Sequence, residues 1–445
     1  MSSETASAPG SGRRSGWRRW GRTIAIAAIV VLVVLAIAIG WVSRPARLTA
    51  LVLDRAGSAL DLQIIATGTA EYRLRGTPML TVRGLDVRQP GADAPLLTAD
   101  RAHLALPWAT LWAGGKDLTI SRVELDGPRL DLQALQGWLA TRPAGGAQRI
   151  PTLTEGAQIV RGQLDGDGWS GDRINISTAR LAPAKPFAAR LGGRFLHGTT
   201  TAPFDLQLAL THPGIDAGMG LAGIANIRSP QWWMPITLQL SGVLRDDDDG
   251  MGLDRARLGG DMRWLNDPAV PGPGLTFATG VAGRMRYRDG GLQIAPLGVS
   301  LRGQDGLPER GDASGSLALG DTLALSLHGE IGDWPTAWPA LPTPLGDSHS
   351  PLLFALDYAG TPDLGNEAHL DLRRDATRFD GYFRVPRLSA WLDQLATGTP
   401  LPPMRGTLET PRLEIAGATL TGVRLQMDDD EPDTGTGLPA PEPAN

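Results

Sequence analysis

Through much of this chain apolar and polar residues alternate one by one, and a period of two puts every second side chain on one face of an extended strand. Phe187, Ala189, Leu191, Gly193 and Phe195 are interleaved with Ala188, Arg190, Gly192 and Arg194. Phe204, Leu206, Leu208 and Leu210 alternate with Asp205, Gln207, Ala209 and Thr211; Ile236, Leu238 and Leu240 with Thr237, Gln239 and Ser241; Leu323, Leu325 and Leu327 with Ala324, Ser326 and His328. Such runs predict half-buried strands in long antiparallel sheets. The 57 Gly and 35 Pro of the chain supply turns and bulges between them. Helical patterning is sparse. Leu48, Leu51, Val52 and Ala56 share a helical face that Gly57 could end; residues 107–113 begin with Pro and stop at Gly114 and Gly115; residues 388–395 form a third candidate. The fold is expected to be mainly β, with a few short helices.

A second feature fixes the address. Residues 23–43 carry no charge and consist almost entirely of Ile, Val, Ala and Leu, a stretch that as a helix reaches about 31 Å and matches a bilayer core. Arg13, Arg14, Arg18, Arg19 and Arg22 precede it and only Arg44 and Arg47 follow closely, so the amino terminus is expected to be cytoplasmic and the bulk of the chain exported. Trp17, Trp20 and Trp41 stand where aromatic rings settle at membrane interfaces. Ala36 and Ala38 make the small-x-small pair of a cleavable signal, but the apolar run continues to Val42, and a retained anchor is the expectation.

Charge and motifs narrow the chemistry. A net charge of -5, with the basic residues of the start explained by topology, argues against a nucleic-acid partner. With no Cys there is neither a disulfide nor a thiolate metal site. His103, His197, His212, His328, His349 and His369 are scattered, none paired at metal-ligand spacing, with His103 and His328 on the polar side of strands. The GMGLAG run at 218–223 formally fits a dinucleotide pattern, yet strand-like sequence follows it where a helix is required. Asp246 to Asp249 has the composition of a calcium site, but without EF-hand spacing a solvated turn is expected; Asp165 to Gly168 reads as a hairpin turn. Trp334 and Trp338, between prolines, are expected to cap a core edge. No Gly-x-Ser-x-Gly elbow occurs. No metal, cofactor or catalytic residue is assigned, and the expectation is a protein that is not an enzyme.

The runs LTVRGLDV (80–87), PLLTADRAHLAL (95–106) and LTISRVELDGPRLDL (118–132), following a span and a short helix, resemble the amino-terminal region of AsmA-like proteins. The likeness covers about residues 20–140, with a weaker echo in LEIAGATLTGVRLQM (413–427). The resemblance implies an inner-membrane protein of Gram-negative bacteria whose periplasmic part is an elongated, curved antiparallel sheet forming a groove. It implies a role in outer-membrane biogenesis and in conducting phospholipid. Roughly twenty strands at about 4.8 Å each would extend on the order of 100 Å. The expected organisation is a basic tail (1–22), a span (23–43), an amino-terminal module (44–140), a β-rich middle (153–338), a carboxy-terminal β module (351–427) and a disordered acidic tail (428–445). Candidate lipid-facing residues are Phe187, Leu191, Phe195, Phe204, Leu206, Leu208, Leu210, Ile236, Leu238 and Leu240. Periodicity alone favours the commoner outcome, in which these faces close on one another as a sandwich or barrel core; the resemblance favours the groove. The expected partners are membrane phospholipid, the inner membrane and a periplasmic or outer-membrane protein; the competing role is a non-enzymatic scaffold for outer-membrane protein assembly or secretion.

Overall fold

Where alternation is strongest the chain forms strands, as a computed structural model shows. The structure describes residues 61–428 except 74, 93, 113–118, 141–149, 267–273, 289, 305, 339–340, 342, 394–402 and 416–417. The expected span at 23–43, Trp17, Trp20, Trp41, the helix at 48–56 and the tail from 429 onward lie outside the described residues. The chain divides into two compact units, Met1–Leu307 and Pro308–Asn445.

In the first unit β3 (Met79–Arg88) pairs on one side with β1 (Gln63–Ala66) and β2 (Ala70–Arg73), and on the other with β4 (Leu97–Ala105). A short helix, α1 (Trp108–Trp112), follows Pro107; the Trp108 indole donates to the Gly76 carbonyl at 2.9 Å. The 118–132 run holds three strands, β5 (Thr119–Ile120), β6 (Arg122–Asp126) and β7 (Arg129–Asp131), the last two separated at Gly127, whose φ is +58°. A Cβ is disfavoured in that left-handed conformation, so glycine suits the break.

The helix α2 (Leu132–Ala140) was not expected from the sequence. Asp131 caps it, accepting the Ala134 amide at 2.9 Å. Leu135 and Trp138, three residues apart on one face, are each 2% exposed in the core. The helix carries the chain across, so that after β8 (Thr152–Leu153) strand β9 (Ala157–Asp165) runs parallel to β6 and β7, while β8 runs parallel to β5. The expected antiparallel sheet is thus mixed here, because a parallel neighbour requires such a crossover.

From β9 onward the unit is an antiparallel meander. β10 (Trp169–Thr178), β11 (Phe187–His197), β12 (Thr200–Leu210), β13 (Gly218–Arg228), β14 (Trp232–Asp247), β15 (Gly250–Asn266), β16 (Leu275–Arg288) and β17 (Gly291–Gly303) each pair with the next.

The second unit repeats the meander with β18 (Gly311–Leu319), β19 (Leu323–Ile331), β20 (Leu352–Gly360), β21 (Glu367–Arg374), β22 (Thr377–Arg384), β23 (Met404–Ile415) and β24 (Ala418–Met427). Its helix, α3 (Val385–Asp393), begins three residues before the expected 388, with Pro386 in the first turn.

The hydrophobic core of the first unit sits at its beginning. Val82, Leu96, Leu104, Val123, Leu135 and Trp138 are among its members, all at most 3% exposed. Full burial of side chains of this size contributes about 1.5–3 kcal/mol each.

Candidate functional site

Residues paired across neighbouring strands share a face, so the register shows which side chains the fold gathers. One row of partners runs Val82, Ala102, Leu125, Ile159, Ile176, Leu191, Leu206, Gly223, Leu238, Gly260, Thr279 and Leu301. Parallel rows carry Leu208, Leu221, Leu240 and Leu258, and Phe204, Ala225, Ile236 and Met262. Phe187 stands opposite Leu210, and Phe195 opposite Ala202. All ten candidate lipid-facing residues therefore lie on one face, which is also the face of the buried core.

Their exposure differs from that of the core. Nine of the ten are half-buried, and Phe195 is 39% exposed. The face continues through Leu258, Met262, Phe277, Val281, Val299 and Leu301, which the sequence reading did not single out. Gly260 interrupts the apolar row there, and glycines at 259, 280 and 298 stand on the opposite face where polar residues would mark the alternation. The GMGLAG run is itself strand β13, and it places Met219 and Leu221 on this face. At Gly223 the backbone has φ +154° and a Cβ would lie 2.2 Å from the Asp205 carbonyl oxygen, so no side chain fits between Leu206 and Leu238.

Bulges keep the face apolar where the strands lose step. Arg161, Arg173 and Arg255 have φ of +58°, +51° and +51°, each beside a register shift. The extra residue in β15 resets the alternation, so that Leu253, opposite Met285, returns to the apolar side. Arginine in the left-handed region costs roughly 1–2 kcal/mol relative to an ordinary conformation.

The opposite face is polar along an equally long row: Thr81, His103, Glu124, Gln158, Ser177, Arg190, Gln207, Ala222, Gln239, Gly259, Gly280 and Ser300. Thr81 Oγ1 and His103 Nδ1 are 2.9 Å apart. Burial lowers the His103 pKa, opposed by Glu124 and reinforced by Arg101 and Arg122. Burial pushes the Glu124 carboxyl up, but hydrogen bonds from Arg122 (2.6 Å) and Arg101 (3.0 Å) outweigh it and hold it below the usual range. Arg190 donates to Asp205 at 3.0 Å. A cavity of about 1120 Å³ lies over this side, lined by Ala188, Arg190, Gln207, Ala209, Ala222 and Gln239, with Leu208, Leu221 and Leu240 between them along the strands. Sequence reasoning did not anticipate a concavity here, because Ala and Gly among the polar residues give no periodic signal.

The Asp246 to Asp249 cluster forms the end of β14 and its hairpin turn to β15. Arginines face these carboxylates: Arg286, 5% exposed, donates to Asp247 at 2.8 Å and Asp254 at 2.6 Å, and Arg284 donates to Asp249 at 2.7 Å. Hydrogen bonding to Arg286 lowers the pKa of both Asp247 and Asp254. Among the described residues no three His, Asp or Glu side chains are placed to hold a metal ion. Residues 166–168 turn between β9 and β10. His197 Nδ1 lies 3.0 Å from the Gly168 carbonyl, and His212 Nδ1 lies 3.2 Å from Thr211 Oγ1.

In the second unit Leu327, Leu356, Leu370, Gly381, Gly406 and Met427 form one apolar row. Its other face carries His328, 2.9 Å from Ser314, and His369, whose ring nitrogens lie 3.9 Å from Asp357 and 3.5 Å from Asp380. Trp334 and Trp338 meet edge to face at 4.9 Å. No helix among the described residues is long and apolar enough to cross a membrane. No family profile, curated protein or solved structure matches the chain.

Proposed function

We propose that this chain is a non-enzymatic, inner-membrane-anchored periplasmic protein of outer-membrane biogenesis that carries phospholipid acyl chains on the apolar face of β9 to β17. The observation that supports this reading is the half-exposure of the apolar row from Ile159 to Leu301, which extends over nine successive strands. An acyl chain laid along this face is sheltered from water at about 0.8 kcal/mol per methylene, while the headgroup stays solvated at its margin. The uncharged residues 23–43 and the resemblance to AsmA-like proteins supply the membrane and the compartment. Transfer needs no bond to be made or broken, so partition is the whole mechanism.

The test is photocrosslinking in cells from a benzophenone side chain at Leu191, Leu208 or Leu238, compared with Arg190, Gln207 or Gln239. Phospholipid adducts should form from the first set and not the second. Equal labelling from both sets, or none from either, overturns the reading. A second reading, a scaffold or assembly factor for outer-membrane proteins or a secretion system, draws on the cavity over the polar face. It expects protein adducts from Gln207 and Gln239 and no lipid from Leu208.

A further inference from the structure

The two rims of the β10 to β17 sheet differ in chemistry. All four tryptophans of residues 157–303, namely Trp169, Trp232, Trp233 and Trp264, sit at the rim formed by the start of β10, β14 and β16 and the end of β11, β13 and β15. Trp232 stacks on Trp264 with ring centres 4.4 Å apart, and Trp169 stacks on Phe195 at 5.4 Å. Arg228 lies over the Trp233 ring at 5.7 Å. The far rim holds the Arg245, Arg284 and Arg286 network, in which each guanidinium meets an aspartate.

Indole rings half-buried at strand ends, together with an arginine that stacks on one of them and meets no acid among the described residues, suit the boundary between hydrocarbon and phosphate. At the far rim the arginines of β14 and β16 are held by aspartates and no tryptophan stands beside them, although Ile215 in the β12–β13 connection is 55% exposed. A bilayer is also within reach. The uncharged run ends at residue 43 and β1 begins at Gln63, so residues 44–62 allow a separation of at most about 65 Å. Eight strands at about 4.8 Å spacing give a rim roughly 34 Å long.

We propose that the tryptophan rim is a membrane-contact surface that rests on the headgroup layer of a phospholipid bilayer, and that acyl chains cross it to reach the apolar face. The contact stands on the rim residues alone; the crossing rests on the lipid-carrying reading above.

Because the chain has no Cys, a single cysteine reports one place. Gln231→Cys in the β13–β14 turn and Asp248→Cys in the β14–β15 turn are each labelled with an environment-sensitive dye on the full chain, reconstituted in vesicles of equimolar phosphatidylcholine and phosphatidylglycerol with brominated acyl chains. Quenching severalfold stronger at position 231 than at 248 is expected. It should be lost on adding Trp232→Ala and Trp264→Ala and kept with Trp232→Phe and Trp264→Phe. Equal quenching at both positions, or quenching indifferent to the alanine pair, overturns the contact. The Leu208 crosslink judges the other reading separately: lipid adducts there without quenching at 231 sink the rim alone, and quenching without adducts leaves the rim as a contact surface that does not feed the face.

Discussion

The region from β1 to β9 and the region from β10 to β17 share one apolar face, joined by a continuous row of strand partners from Val82 to Leu301. In the first region the face is closed: Val82, Ala102 and Leu125 on that row are 3%, 1% and 6% exposed. In the second, Ile176, Leu191, Leu206, Leu238 and Leu301 stay half-buried, whereas on the same face toward the far-rim ends of β15 and β17 Leu253, Ala256, Ile294 and Leu297 are 7%, 2%, 5% and 5% exposed. The first region has α2, with Leu135 and Trp138, and the segments bearing Leu62, Ile120 and Leu153 packed into its core. The core cluster does not extend to the strands beyond β10. Alternation makes a face, and in the first region α2 and the flanking segments close it into the main core.

The contrast is broken most directly at its cover. Trp138→Ala should cost about 3–5 kcal/mol in urea unfolding of the full chain, because it removes the largest side chain of the closed layer. Leu104→Ala, 1% exposed, should cost about 2–5 kcal/mol. The open region should respond less: Leu208→Ala, on the same face but half-buried, should cost about 1 kcal/mol, and a loss equal to that of Leu104→Ala would mean the face is closed after all. Asp131→Ala removes the cap of α2 and should cost about 1 kcal/mol, visible as faster amide exchange in that helix.

The smallest effect is a pH dependence confined to the closed region. Burial lowers the His103 pKa in the folded chain, so the unfolded chain takes up the proton first. Its contribution to stability is present above about pH 6.5 and is lost as pH falls below that value toward the folded pKa. Thermal unfolding of His103→Gln should be flatter across this window than that of the parent chain, whereas Gln207→Ala, on the same row in the open region, should leave the slope unchanged.

The strands at 187–197, 200–210, 232–247 and 323–331 were legible in the sequence because a half-buried sheet writes its faces as a period of two. So was the grouping of Phe187, Leu206 and Leu240 on one side. The closing layer was not legible. The apolar residues of α2 follow directly on those of β7, and only Asp131, followed by Leu135 and Trp138 at helical spacing, marks the change of period. The parallel return of β9 depends on that helix and was missed with it. The bulges escaped notice because arginine, not glycine, occupies the left-handed positions. The tryptophan rim required knowing which strand ends lie together, and spacing along the chain does not show that.

The central claim is that the open face holds acyl chains, and native mass spectrometry of the full chain released gently from membranes tests it most directly. The parent chain should retain phospholipid, and Leu208→Arg should remain folded, since its side chain can reach water from a half-exposed face, yet lose the bound lipid. A lipid-free parent chain, or a Leu208→Arg variant that unfolds as a core substitution would, contradicts it.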